Sequence, residues 1–141
     1  PKFISNMSEQ FEARLVLTEI YESPSVLLKG MAGSSLPVVV AHGEGRVQFE
    51  NNRDKETLVA RQQINLRFID NYNTVTEAYP LNPNGSEQGI TGMTSEDGRF
   101  TIMMPHPERV YRTVQHSWHP EHWQEDGPWL RLFRNARVFV N

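Results

Sequence analysis

One short run of this sequence, Phe100-Thr101-Ile102-Met103-Met104-Pro105-His106-Pro107-Glu108-Arg109, ends an apolar stretch on two prolines that bracket a histidine. A histidine with a carboxylate two positions on suits general-base chemistry. The carboxylate holds one ring nitrogen, and the other is left to take a proton from a nucleophile. A residue that precedes proline is pushed toward extended backbone. Met104 and His106 are therefore expected to be extended, and in extended chain positions i and i+2 share a side. His106 and Glu108 should project together from the C-terminal end of a strand, where open α/β sheets place their active sites. The alternative reading is a polar strand end at which both side chains simply face water.

The partner that such a base would activate is missing. The chain has no cysteine, which removes disulfides, thiolate metal sites and cysteine nucleophiles together. No serine sits in a G-x-S-x-G elbow, and Gly85-Ser86-Glu87-Gln88-Gly89 carries its serine at the wrong offset. A second candidate is His42-Gly43-Glu44-Gly45, which closes an apolar run. Its glycines let main chain approach a ligand closely, or they permit a tight turn between strands. His116, His119 and His122 recur every third residue and invite a metal reading. Pro120 interrupts any helix there, so a surface loop packed over Trp118 and Trp123 is the preferred reading. Met93, Met103 and Met104 read as core fillers, and Arg131, Arg134 and Arg137 as a solvated or protein-contacting helix face.

These residues need elements to place them. Glu12 to Glu22 alternates with period two and reads as a strand with Ala13, Leu15, Leu17 and Thr18–Ile20 toward a core. Leu36 to Ala41 is a continuous apolar run, as in a strand covered on both faces. Arg46 to Phe49 and Leu66 to Asp70 read as further strands. Arg53 to Gln62, following Asn51 and Asn52, reads as a short surface helix. Gly89 to Thr94 and Arg99 to Met104 flank Asp97-Gly98, a pair favoured in tight hairpins. Pro107 to Val114 is suited to start a helix, with proline in its first turn. Trp129 to Val140 puts Trp129, Leu132, Phe133 and Ala136 on one helical face. The pattern implies an α/β sheet with flanking helices and no run of regular early βα units.

The bulk properties narrow the classes. The 141 residues suffice for one domain, 38% are hydrophobic, and 14 basic against 17 acidic side chains give a formal net charge of -3. That balance gives no electrostatic drive toward nucleic acid or an anionic membrane. No apolar run is long enough to span a bilayer, and residues 1–10 lack the apolar region of a signal peptide. A cytoplasmic location is expected. The start at Pro1 suggests a piece of something larger.

Met103 to Arg109 resembles the closing signature of class I glutamine amidotransferases, in which a Cys-His-Glu triad hydrolyses glutamine. Other runs resemble the long-type phosphoribosylformylglycinamidine synthases of that family. They are Asn6 to Arg14, Ala41 to Arg46, Tyr79 to Ser86, Gly89 to Gly92 and Ser117 to Arg137, so that the similarity spans residues 1–141. The resemblance implies a partial, flavodoxin-like open sheet with its early βα units missing. It implies His106 as general base, Glu108 as its orienting carboxylate, and Gly43 and Glu44 as glutamine-binding positions. The cysteine would lie on a strand–helix elbow before Pro1, leaving this chain inactive alone. Ammonia released from glutamine would pass to a separate synthetase region, where Mg and ATP are expected; no cofactor is implied for this chain. The implied partners are glutamine and the missing part of the same enzyme. A non-catalytic, amidotransferase-like interaction domain is the alternative, and a glycine-flanked cysteine upstream would decide against it.

Overall fold

The computed structural model describes residues 1–141. Its elements in chain order are β1 (Lys2–Ile4), β2 (Glu12–Ile20), β3 (Ser35–His42), β4 (Arg46–Gln48), α1 (Asn52–Ala60), β5 (Ile64–Ile69), β6 (Ile90–Thr94), β7 (Thr101–Met103) and α2 (Leu130–Phe139). Five strands form one sheet in the order β3-β2-β5-β6-β7, and β1 and β4 pair separately. The expected α/β class holds, with every strand pairing antiparallel. The sheet curls until its edges meet. The chain leaving β7 reaches β3 at the opposite edge, where the His106 N–H donates to the Val39 carbonyl at 2.7 Å.

Register decides which face of each strand is buried. Val16 pairs with Val38, Thr18 with Leu36 and Phe68, and Ile20 with Leu66. The even positions of β2 thereby join the main core of Val16, Ile20, Leu36, Val38, Val40, Phe68 and Trp129. This corrects the expected inward face in part, since Thr18 and Ile20 are buried as expected. Ala13 and Leu15 point away from that core, and Leu15 keeps 50% of its exposure. β3 buries Leu36, Val38 and Val40 on one face and only half-buries Pro37, Val39 and Ala41 on the other. A smaller cluster of Val47, Ile64, Ile90 and Met93 lies against Leu58 of α1. Asn51 caps that helix by accepting the Asp54 N–H at 2.9 Å.

Two segments depart from their expected form. Pro107 to Val114 is not one helix but two 3₁₀ turns, Pro107–Arg109 and Thr113–Gln115. Between them the chain is captured as extended structure: the Gly127 N–H donates to the Tyr111 carbonyl at 2.8 Å, and the Thr113 N–H to the Glu125 carbonyl at 3.1 Å. α2 buries Trp129 and Leu132, half-buries Ala136 and leaves Phe133 exposed. The Asp97-Gly98 hairpin forms as read. Gly98 has φ +71, and a Cβ there would strike the Pro24 main chain. No helix is long and apolar enough to cross a membrane.

Candidate active site

β7 runs out at Met103, and Pro105 and Pro107, both buried, fix the backbone on either side of His106. His106 has φ -109 and ψ 79 and stands at the head of the Pro107–Arg109 turn. Its Nδ1 lies 2.8 Å from Glu108 Oε1. The pair therefore meets, as the sequence predicts, but by a different route. A 3₁₀ turn closed by the Arg109 N–H on the His106 carbonyl folds Glu108 back, where continuous extended chain was expected. A carboxylate on Nδ1 selects the tautomer with its proton there and leaves Nε2 basic. Nε2 makes no hydrogen bond within the chain and is not sealed from solvent. The two side chains keep 29% and 53% of their exposure. Arg109 Nε lies 3.7 Å from the same Glu108 oxygen.

β3 ends beside this pair. His42 is its last residue, with its ring centroid 6.2 Å from that of His106 and a 37° angle between the planes. His42 is only 9% exposed, and neither ring nitrogen has a partner at good hydrogen-bond geometry. Burial pushes its pKa below the ordinary 6.5 and the neighbouring His106 adds to this. The nearby Asn84 side chain, Met104 main chain and Glu12 carboxylate oppose it without reversing it. The neutral form of His42 is therefore favoured.

The two predicted glutamine-binding positions lie just beyond. Gly43 turns its carbonyl to the Asn6 N–H at 2.9 Å, and a Cβ on Gly43 would meet nothing within 4 Å. Glu44 is exposed and makes no hydrogen bond or ion pair. Gly45 cannot be replaced so freely, because a Cβ there would overlap His42 Nε2 and Asn84 Nδ2.

A buried polar cluster, which sequence reasoning did not single out, fixes this loop. The Asn6 amide donates to the Gln10 carbonyl at 2.9 Å and the His42 carbonyl at 2.8 Å. Its oxygen accepts the Gly45 N–H at 3.0 Å and the Asn84 amide at 2.8 Å. All of its hydrogen-bonding capacity is thereby used. Asn82 accepts the N–H groups of Gly85 and Ser86, and Ser86 Oγ accepts the Val47 N–H at 3.2 Å. Three runs quoted for the family resemblance, 6–14, 41–46 and 79–86, thus converge at one end of the sheet. Their signal was present as motifs. No periodicity marks a loop asparagine as buried.

The histidine-rich tail forms no metal site. His116 Nε2 bonds the Val110 carbonyl at 3.1 Å, and both His116 and His119 pack on Trp123. No group of three metal-capable side chains assembles anywhere in the chain. Trp118, expected beneath this loop, is 77% exposed, and Trp123 alone packs against the main core.

Comparison with solved structures finds the same fold in a chain of the PurLQS structure from Thermotoga maritima, at TM-score 0.66 and 22% identity. The match covers 99% of this chain and 52% of that one, so this chain spans about half the length of its structural relative. The sequence matches the CobB/CobQ-like glutamine amidotransferase domain over residues 1–140, and the chain belongs to that family.

Proposed function

We propose that this chain is part of the glutaminase domain of a phosphoribosylformylglycinamidine synthase, releasing ammonia from glutamine for ATP-dependent amidine formation in purine synthesis. The observation that carries the reading is the 2.8 Å contact between His106 Nδ1 and Glu108, with Nε2 left open. His106 is the general base and Glu108 holds its tautomer. The cysteine comes from a segment outside residues 1–141. The Gly43–Glu44 loop, with open space beside Gly43 and an exposed Glu44, holds glutamine. Mg and ATP belong to the synthetase region of the same enzyme.

In this reading Nε2 of His106 takes the proton of the cysteine thiol, and the thiolate attacks the glutamine side-chain carbonyl carbon. The imidazolium returns that proton to the departing nitrogen, so that ammonia leaves and a thioester remains. Nε2 then takes a proton from water, the hydroxide attacks the thioester, and glutamate and thiol are restored. Glu108 stabilises each imidazolium without itself being protonated.

The test uses the full-length protein carrying His106→Gln or Glu108→Gln. Glutamine-dependent synthesis is expected to fall by about 10²–10⁴-fold, the usual worth of a positioned acid–base group. Synthesis from added ammonia should persist. Equal loss of both activities overturns the assignment. Residues 1–141 alone should release no ammonia from glutamine, and normal turnover by them would place the nucleophile within this chain.

A further inference from the structure

We propose that His42 is a positioning residue for His106: a sealed imidazole at the end of β3 that fixes the plane of the neighbouring ring. The proposal rests on the glutaminase reading and deepens it. β3 meets His106 at Val39 and runs close beside it at His42. The Val39 carbonyl takes its N–H at 2.7 Å, and three residues on, the His42 ring lies 6.2 Å away, centroid to centroid. The bond to Glu108 restrains one edge of the His106 ring but leaves rotation about that contact. A rigid neighbour on the β3 side restrains the remaining freedom.

His42 is itself unusually fixed. Gly45 and Asn84 crowd its Nε2 side, and Asn6 holds its carbonyl at 2.8 Å. Burying an imidazole costs free energy that an apolar packing residue would avoid, and the nearby Asn84 side chain and Met104 main chain offset it only in part. The charged groups around it are few. Glu12 faces it from β2 and is itself paired with Arg14, and His106 faces it from the chain after β7. A neutral His42 places no second positive charge beside His106 when that ring takes up its proton. A polar side chain that stays uncharged there can meet the imidazolium without repelling it.

The experiment compares His42→Gln and His42→Asn with the parent in the full-length protein. Two readouts are used: steady-state kinetics with glutamine or ammonia, and the pH dependence of cysteine alkylation by iodoacetamide, which follows the thiolate that His106 sustains. A misplaced base is expected to lower kcat with glutamine roughly tenfold or more. KM for glutamine should change less than about twofold. Ammonia-dependent turnover should be kept, and the alkylation profile should move to higher pH. An unchanged kcat and alkylation profile overturns the proposal. So does equal loss of both activities in both variants, which is the pattern of a packing role. A His106→Gln arm separates the two readings. If it retains glutamine-dependent activity, the glutaminase assignment fails whatever His42 does.

Discussion

The apolar core and the loop cluster beside His106 are held in opposite ways. In the core, Trp129, Phe68, Val38 and Val40 are wholly buried, and Trp129 Nε1 finds the Pro37 carbonyl at 2.8 Å. In the loop cluster, Asn6, Asn84 and Ser86 are as deeply buried, but the contacts are hydrogen bonds between irregular segments. Apolar contact is non-directional, so the core tolerates small shifts. Hydrogen bonds demand particular partners at particular angles, and losing one strands another buried group. The difference teaches where each kind of force is used. Burial supplies the stability of the sheet, and directional bonds place the loop beside His106.

Substitutions can break or sharpen this contrast. Trp129→Ala removes the largest wholly buried side chain and should cost about 3–5 kcal/mol in urea unfolding. It should lower both ammonia- and glutamine-dependent activity only through loss of folded protein. Asn6→Ala should cost less, about 1–3 kcal/mol, because it leaves the Gly45 N–H and the Asn84 amide unpaired. Its effect on glutamine-dependent turnover should nonetheless exceed its effect on stability. If the two substitutions affected activity and stability in the same ratio, the contrast would be lost.

A smaller effect comes from pH. His42 has its folded pKa lowered by burial, so the unfolded chain takes up its proton first. Its contribution to stability is complete above about pH 6.5 and is lost as pH falls from there through the folded value. Thermal unfolding between pH 7.5 and 5.5 should show this loss in the parent protein and a weaker dependence in His42→Gln. The smallest effect is expected at Val138, 76% exposed on α2, where Val138→Ser should change stability by no more than about 0.5 kcal/mol.

Much of this arrangement was legible before any coordinates. The meeting of His106 with Glu108 was legible in two prolines and a two-residue spacing, though the 3₁₀ turn that makes it was not. β2 followed from alternation, β3 from a continuous apolar run and the β6–β7 hairpin from Asp97-Gly98, while β1 was not read as a strand. The inward face of β2 did not follow. Leu15 looks like core and Glu12 like surface, yet pairing with β3 and β5 sends Glu12 inward, where Arg14 and Ser8 bind it. Hydropathy records what a side chain prefers, and register is settled by partners tens of residues away. The Pro107 segment failed for a related reason. Its local preference is helical, but residues 125–127 offer it extended pairing. Asn6 and Asn84 were quoted within motifs without a structural role, since two loops 78 positions apart carry no shared period.

The bond from the His106 N–H to the Val39 carbonyl has a consequence for how errors arise. Strands slip in whole residues, each about 3.4 Å along the axis, because their ladders admit nothing in between. A misthreaded β3 would therefore displace the His106 imidazole relative to that strand by at least that much. Placement of this side chain is thus discrete: a folded copy carries the imidazole at its proper address or does not carry it there at all.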